Sequence, residues 1–192
     1  MKKFELTSET KINIFGKKLF RIKALISFAD VEAGETGGWV EKEGNVNQSG
    51  DAWVYGNAEV SGNAWVSGNA WVSGDAEVSG NAWVSGDAWV YGNAWVSDNA
   101  KVYGNAEVSG DAWVYGNAWV YGNADYTTIH GFGTQFRTTT FFRCKDKKVR
   151  VACGCFFGTI SEFREQVKNT RKGKIAEEYL MIADLMEKHF EK

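Results

Sequence analysis

Residues 51–62 read Asp-Ala-Trp-Val-Tyr-Gly-Asn-Ala-Glu-Val-Ser-Gly, and this six-residue unit repeats without a break as far as residue 122. The twelve copies share Asn or Asp, then Ala, a variable residue, Val, Ser or Tyr, and in all but one copy Gly. Ala and Val are two positions apart, so both face one side of an extended segment and the variable residue faces the other. A period of six with this alternation is typical of a solenoid of short parallel strands.

The end of each unit predicts a corner, because Gly, Asn and Asp tolerate a positive φ. Three strands and three corners then make one triangular coil of 18 residues, which is three units of the repeat. Successive coils stack about 4.8 Å apart, with Ala and Val inside. The chain has no proline, which keeps the backbone N–H groups available for hydrogen bonds between coils. The fold class predicted for the chain is therefore mainly β.

The repeat resembles that of the hexapeptide-repeat family of left-handed parallel β-helices, whose motif is an aliphatic residue followed four positions later by a small one. Val54 and Ala58 begin this pattern, and Val120 and Ala124 end it. The resemblance implies a left-handed solenoid. Three flanking segments also resemble the lead-in of a bacterial and phage group of such proteins without an established activity: residues 28–34, 37–40 and 48–50.

The chain divides into three predicted segments: an N-terminal β cap over residues 1–37, a hexapeptide-repeat β-helix over 38–128 and a C-terminal α/β module over 129–192. A β-hairpin within residues 3–25 is expected to cover the first coil, since an open coil end exposes strand edges. Residues 38–50 are predicted to form a degenerate first coil, with Val46 at the Ala position and Gln48 at the Val position.

The C-terminal module is predicted as a ββαα unit that docks on the solenoid or on another subunit. Residues 138–144 and 148–153 have the pattern of a hairpin, and Thr159 to Glu162 read as a capping box that begins a helix ending near residue 170. Apolar residues at helical spacing predict a second helix over residues 175–190. Before the module, residues 123–128 are predicted to be a degenerate last unit with Tyr126 at the Val position.

Composition and charge indicate a cytoplasmic protein that does not enter a membrane. The first residues contain no long apolar segment typical of a signal peptide, and no apolar run reaches the length of a membrane span. The three cysteines are expected to be free thiols in a reducing compartment. Residues 27–125 carry two Lys and fourteen Asp or Glu, whereas residues 126–176 carry eleven Lys or Arg and three Asp or Glu.

The variable positions predict three outward columns, because residues 18 apart fall on the same face of the solenoid. The first column contains Trp53, Trp71, Trp89, Glu107 and Asp125, the second Glu59, Glu77, Trp95 and Trp113, and the third Trp65, Trp83, Lys101 and Trp119. The tryptophans of these columns, with Tyr55 and Tyr91, are the predicted interaction surface. Three uses remain open: stacking between coils, self-association as a dimer or trimer, and binding of a flat ligand such as a glycan or nucleobases.

Basic residues in the C-terminal module form a second candidate site, for an anion, a nucleotide or a nucleic acid. They surround the predicted hairpin turn and follow the first helix: Arg143, Lys145, Lys147, Lys148, Arg150, Arg164, Lys168 and Arg171. The alternative is that neighbouring phenylalanines form a small core whose solvated face carries these charges, or that the basic surface docks on the acidic solenoid. No Walker-type or G-x-G-x-x-G phosphate loop is present.

Catalysis and metal binding are not expected from the residues available. The resemblance implies either acyltransferases, which use a His as general base, or carbonic anhydrases, which bind zinc with three His. His130 and His189 are the only histidines, and both lie outside the repeats. Cys144, Cys153 and Cys155 give only a weak zinc pattern. No catalytic residue, metal or cofactor is therefore predicted.

The predicted function is that of a non-catalytic structural or interaction protein. It is a rigid β-helical rod that self-associates and presents its basic C-terminal module to a protein or anionic partner. The first alternative is a protein that binds an anionic ligand, a nucleotide or a nucleic acid, which in a phage setting could sequester a host molecule. The second alternative is a degenerate acyltransferase.

Overall fold

Three stacks of short parallel strands form the walls of the solenoid in the computed structural model, which describes residues 2–191. Each six-residue unit contributes one strand, and residues 18 apart are paired, as Trp53 is with Trp71. The predicted solenoid with 18-residue coils is thus confirmed. The strands are β4 (Trp53–Val54), β5 (Glu59–Val60), β6 (Trp65–Val66), β7 (Trp71–Val72), β8 (Glu77–Val78), β9 (Trp83–Val84), β10 (Trp89–Val90), β11 (Trp95–Val96), β12 (Lys101–Val102), β13 (Glu107–Val108), β14 (Trp113–Val114) and β15 (Trp119–Val120).

The interior of the solenoid consists of the Ala and Val residues of the repeat, and each of them from Ala52 to Val120 is at most 1% exposed. The corners depend on glycine for two reasons. Gly68, for example, has a φ of +68°, and a Cβ atom there would lie 2.9 Å from the backbone nitrogen of Gly86 in the next coil. The unit that lacks a terminal Gly has Asp98 in its place, also at positive φ. Uniform small corners therefore allow coils to stack directly on one another.

The N-terminal cap is a hairpin continued by a third strand. β1 (Phe4–Ile12) and β2 (Lys18–Ala24) are antiparallel, as predicted, and β3 (Thr36–Val40) pairs antiparallel with β2 and parallel with β5. The cap and the second column therefore belong to one seven-stranded sheet, in the order β1-β2-β3-β5-β8-β11-β14. Residues 1 and 192, the outermost residues of the predicted segments 1–37 and 129–192, lie outside the described part of the chain.

The first coil is longer than the others, and its predicted register was wrong. Val46 pairs with Val66, twenty residues later, so Val46 occupies the Val position and not the Ala position. Two additional residues lie between Val46 and Val54, and they displace Gln48 from the wall. The Gln48 side chain instead accepts a hydrogen bond from the backbone nitrogen of Lys3 at 2.8 Å. Gln48 thus joins the cap to the first coil.

The C-terminal module is a four-stranded antiparallel sheet followed by two helices. Its elements are β16 (Tyr126–Phe132), β17 (Arg137–Arg143), β18 (Val149–Cys153), β19 (Phe156–Thr159), α1 (Ile160–Thr170) and α2 (Gly173–Phe190). The predicted hairpin and helices are confirmed, but the ββαα prediction omitted β16 and β19. The predicted last unit over residues 123–128 was wrong, because residues 123–125 form a 3-10 turn and β16 begins at Tyr126. No helix within residues 2–191 is long and apolar enough to cross a membrane.

The two faces of the C-terminal sheet belong to two different cores. Phe142 and Ala152 belong to the hydrophobic core of the solenoid. Phe141 and Val151 lie in a second core with Phe163 and other residues of the two helices. The sheet therefore closes the C-terminal end of the solenoid and carries the helices on its far side.

The stack of coils has a polarity that determines how its ends are closed. Each coil donates its wall N–H groups to carbonyls of the next coil, as Trp53 does to Ala70 at 3.1 Å. The N-terminal end consequently has free carbonyls. Lys3, which is 2% exposed, donates from its Nζ atom to the Ala52 carbonyl at 2.7 Å and to the Gly50 carbonyl at 3.1 Å.

The opposite end has free N–H groups, and side-chain oxygens accept hydrogen bonds from them. The Trp113 nitrogen donates to Thr140 Oγ1 at 3.0 Å, and the Ser109 nitrogen donates to the Tyr126 hydroxyl at 3.2 Å. Donors close one end and acceptors close the other. This arrangement satisfies groups that would otherwise template the addition of another strand.

Candidate functional site

The first face of the solenoid, defined by the first column, is covered at its N-terminal end. Trp53 is fully buried beneath the rings of Phe4 and Phe28, whose centroids lie 5.9 and 5.4 Å from its own. The hairpin cap and the segment after it provide these two rings. Trp53 and its neighbour Tyr55, which packs on Trp71 at 5.1 Å, therefore serve the closure of the first coil. The structure removes Trp53 from the exposed part of the predicted interaction surface.

Farther along the first face, the aromatic column is open to solvent. Trp71 and Trp89 meet edge to face at 6.2 Å, and Tyr91 packs on Trp89 at 5.2 Å. Trp89 is 42% exposed. The column ends at Glu107, and Asp125 is not part of it, because Asp125 lies in the 3-10 turn.

The second face contains Trp95 and Trp113, which meet edge to face at 5.2 Å. The N-terminal hairpin folds over this face. Its Lys11 forms an ion pair with Glu59 at 2.7 Å, and its tip places the ring of Phe15 at 5.6 Å from that of Trp95. The cap thus contacts the solenoid three coils beyond the first coil, which it closes.

The hairpin tip creates an apolar surface that the repeat alone did not indicate. We call it the hairpin-tip patch, and it consists of Ile12, Ile14, Phe15, Trp95 and Trp113. Ile12, Ile14 and Phe15 are 65%, 83% and 50% exposed, and Trp113 is 42% exposed. Alternation over residues 11–15 predicts a strand that turns at residues 16 and 17, but β1 ends at Ile12, and Ile14 and Phe15 lie in the turn. Nothing in the sequence places them beside the second column.

A half-buried carboxylate, that of Glu77, lies in the same column between Glu59 and Trp95. Burial, and to a lesser extent the charge of the neighbouring Glu59, raise the pKa of Glu77 to about 7. Its Oε1 atom has no hydrogen-bond partner among the described residues. Ionisation of this carboxyl group on the second face is therefore less favourable in free energy near neutral pH than that of an exposed carboxyl group.

The third face combines stacked indoles with a lysine. Trp65 and Trp83 stack at 5.2 Å with 28° between their planes, and they are 38% and 37% exposed. Lys101 follows in the column, and its ammonium lies 4.9 Å from the ring centre of Trp83 and 5.6 Å from that of Trp119. Tyr103 packs on Trp119 at 6.3 Å.

The structure divides the predicted anion-binding residues into two groups. In the first group, arginines are already engaged by acids of the chain. Arg143 pairs with Asp125 at 3.2 Å, and Arg150 pairs with Asp146 at 2.8 Å. Arg164 joins the two helices by pairing with Asp184 at 2.8 Å and with Glu187 at 2.7 Å. These contacts indicate a structural role for all three arginines.

The second group remains exposed. Lys145, Lys147 and Lys148 lie in and beside the turn between β17 and β18, and within residues 2–191 none of them forms an ion pair. Lys168 and Arg171 are exposed at the end of α1. Arg171 lines a separate cleft of about 450 Å³ that also contains Arg137, a residue outside the predicted anion-binding set.

The histidines and cysteines are distributed among separate elements. The His130 ring accepts from or donates to Thr138 at 2.9 Å, and His189 packs edge to face on Phe190. Cys144 is buried, and burial raises the pKa of its thiol to about 11. Cys153 accepts a hydrogen bond from Thr139 at 3.1 Å. Across residues 2–191, no three potential metal ligands converge.

The comparison with protein families agrees with this architecture. The YdcK β-solenoid repeat matches residues 58–74 and 100–116, two stretches that each cover almost one coil. The chain is therefore similar to a β-solenoid repeat over part of its shaft. No curated protein gives a significant match.

Proposed function

We propose that the chain is a non-catalytic interaction protein, a rigid β-solenoid rod that self-associates and presents its C-terminal module to a partner. The left-handed sense implied by the hexapeptide-repeat resemblance is part of this proposal. The observation that carries it is the hairpin-tip patch, in which Phe15 of the cap packs on Trp95, Trp95 meets the exposed Trp113, and Ile12 and Ile14 beside Phe15 in sequence are exposed.

The occupant proposed for this patch is a second copy of the chain. Exposed apolar patches of this kind usually mark contact surfaces, and two copies can bury the same patch against each other about a two-fold axis. Each large apolar side chain transferred from water contributes about 1.5–3 kcal/mol. Ile14 and Phe15 are central to the patch, because they project from the hairpin tip and are not needed to fill the interior of the solenoid.

The proposal is tested with the double variant Ile14→Ser/Phe15→Ser, compared with Met181→Ser/Leu185→Ser as a matched control. Met181 and Leu185 are exposed apolar residues on α2, at 70% and 58%. We expect the first variant to shift the protein to a monomer and the control to keep the mass of the unaltered protein. Light scattering coupled to size-exclusion chromatography measures both, and far-UV circular dichroism checks the fold.

Two results would count against this surface. If only the control variant became monomeric, the contact between copies would be formed by α2. If both variants kept the mass of the unaltered protein, neither surface would be the contact between copies. Because Phe15 packs on Trp95, the single variant Ile14→Ser provides a milder change that leaves this contact in place. Its dimer dissociation constant should rise by about tenfold or more.

The non-catalytic part of the proposal is supported by the positions of the histidines. His130 is exposed in the C-terminal sheet and His189 lies near the end of α2, so neither is on a wall of the solenoid. A degenerate acyltransferase remains the less favoured alternative. Its test is the release of free CoA from acetyl-CoA in the presence of an added amine acceptor, followed by chromatography, which we expect to be absent.

A second candidate function is favoured by the three exposed lysines of the turn between β17 and β18. Lys145, Lys147 and Lys148 form no ion pair among the described residues, and Asp146 of the same turn pairs with Arg150, so the three ammonium groups are available to phosphate groups. Binding of a single-stranded oligonucleotide that weakens with salt, and that is lost in Lys147→Gln/Lys148→Gln, would support it. Binding that is insensitive to salt would reject it.

A further inference from the structure

The third face differs from the other two walls in the charge of its outward side chains. It is the wall with no acidic residue, whereas the first column contains Glu107 and the second contains Glu59 and Glu77. It also contains Lys101, which is the only lysine at any of the twelve variable positions. The outward residues of this face are Trp65, Ser67, Trp83, Ser85, Lys101, Tyr103, Trp119 and Tyr121.

The lysine separates two indoles that would otherwise face each other across one coil. Trp83 and Trp119 are two coils apart, which is about 9–10 Å at the spacing of adjacent strands. Lys101 pairs with both of them in register, and its ammonium lies 4.9 Å from one ring centre and 5.6 Å from the other. The positive charge is therefore held between two aromatic rings.

The space around this ammonium is a cleft of about 240 Å³ lined by Trp83, Ser85, Lys101, Tyr103 and Trp119. Pockets for drug-sized ligands usually occupy about 300–1,000 Å³, so this cleft suits one small ring system. Two hydroxyl groups, on Ser85 and Tyr103, are available for hydrogen bonds along it.

A second ammonium lies beside the cleft. Lys145, in the turn that follows β17, places its Nζ atom 5.9 Å from the ring centre of Trp119. The backbone nitrogen of Lys145 donates to the Asn117 carbonyl at 3.1 Å, which fixes the turn against the corner of the last coil. The C-terminal module thus adds positive charge to one end of the third face.

We propose that this cleft binds a planar aromatic ring that carries an anionic group, the chemistry of a mononucleotide. The ring would stack on the indole of Trp119, whose ring centre lies 5.6 Å from the Lys101 ammonium and 5.9 Å from that of Lys145, and the anionic group would pair with these two lysines. Neither ammonium has an acidic partner among residues 2–191. An anionic ligand therefore supplies a counter-charge that the protein itself does not provide.

The corner that precedes the third face carries one acidic residue, Asp98, beside a row of asparagines. The asparagines are Asn63, Asn81, Asn99 and Asn117, and Asn63 donates to Asn81 at 3.3 Å and Asn81 to Asn99 at 3.2 Å. The Asp98 Oδ2 atom accepts a hydrogen bond from the Gly116 nitrogen at 3.1 Å. Asp125, which lies near Tyr103, is paired with Arg143. Neither acid forms an ion pair with the two ammonium groups of the cleft among residues 2–191.

The test uses three probes that separate the ring from the charge. AMP has both, adenosine has the ring without the phosphate, and ribose 5-phosphate has the phosphate without the ring. Isothermal titration calorimetry on the full chain should show saturable binding of AMP, with adenosine and ribose 5-phosphate each weaker by about tenfold or more. Quenching of tryptophan fluorescence should report the same AMP affinity.

Variants then assign the binding to the cleft. Lys101→Gln and Trp119→Leu should each weaken AMP binding about tenfold or more, and Lys101→Arg should retain it. Trp89→Leu is the matched control, since it removes an exposed indole from the first face, and it should leave AMP binding unchanged. These variants do not alter the hairpin-tip patch, so the result is independent of self-association.

Three outcomes would overturn the proposal. The first is the absence of saturable AMP binding up to about 10 mM, a concentration that would detect even a weak site. The second is equal affinity for AMP and adenosine, which would mean that the lysines do not contribute. The third is equal loss in Trp119→Leu and Trp89→Leu, which would indicate unspecific contact with exposed indoles.

Discussion

The same position of the repeat produces different environments in different coils. Trp53 is fully buried, Glu77 is half-buried, and Trp89 is 42% exposed, although all three occupy the variable position between an inward Ala and an inward Val. The repeat determines the direction of each side chain, because alternation is a property of the strand. Its exposure depends on what the cap and the C-terminal module place above it.

Glu77 is the residue whose environment has the clearest consequence for stability. Its pKa is about 7 in the folded chain, against 4.5 for an unperturbed carboxyl, so between these values the folded state binds more protons than the unfolded state. The free energy of unfolding should therefore fall as pH rises through this window. Replacing the carboxyl by an uncharged amide should remove this decrease in the free energy of unfolding with rising pH.

We expect Glu77→Gln to raise the free energy of unfolding by about 1–3 kcal/mol at pH 8 and to change it little at pH 4.5. Urea unfolding at the two pH values measures the difference. Glu107→Gln is the matched control, since Glu107 occupies the same position of the repeat and is exposed. An equal gain in both variants would attribute the effect to net charge and not to burial of Glu77.

At the scale of single elements, the ends of the solenoid are closed by side chains matched to the polarity of the stack. Lys3 provides donors to two carbonyls at one end, whereas Thr140 and Tyr126 provide acceptors at the other. Removing the Lys3 ammonium leaves the Gly50 and Ala52 carbonyls without their partner. A buried carbonyl without a partner costs about 1–3 kcal/mol.

Lys3→Ala should accordingly lower the free energy of unfolding by about 2–4 kcal/mol, as measured by urea denaturation. Lys2→Ala is its control, because Lys2 is exposed and forms only a surface ion pair with Glu43, for which a loss of at most about 1 kcal/mol is expected. Similar losses in the two variants would show that closure of the carbonyl end does not depend on Lys3.

Elements with a strong local pattern could be predicted from the sequence, and elements defined by tertiary contacts could not. The repeat predicted twelve strands and their register, and the capping box at Thr159 predicted the start of α1. β16 was missed, because residues 126–132 have no clean alternation and end among glycines. The two additional residues in the first coil were missed, because their effect appears only when Val46 pairs with Val66.

For the candidate sites, too, the parts that follow from the repeat could be predicted, and the parts that depend on contacts between distant segments could not. The three aromatic columns follow from the 18-residue period, and the structure has pairings in all three: Trp53 with Trp71, Trp95 with Trp113, and Lys101 with both Trp83 and Trp119. The hairpin-tip patch could not be predicted, since it joins residues about eighty positions apart in the sequence. For the same reason, the acids that engage Arg143 and Arg164 could not be identified from local pattern.

At the scale of the whole molecule, the solenoid presents three walls with different chemistry. The first is covered near the N-terminus, the second carries the hairpin-tip patch, and the third holds a lysine between two indoles. Because the walls are fixed by one backbone stack, a contact made by one wall leaves the others accessible. The proposed self-association and the proposed ligand site can therefore operate in the same assembly.

The measurement that tests the central claim most directly is the mass of the unaltered protein in solution, by light scattering with size-exclusion chromatography at low and high salt. We predict a mass that is a multiple of the 21.3 kDa chain. It should be unchanged by salt, because apolar contacts are not screened. A 21.3 kDa monomer at every concentration, or an oligomer that salt dissociates, would contradict self-association through the hairpin-tip patch.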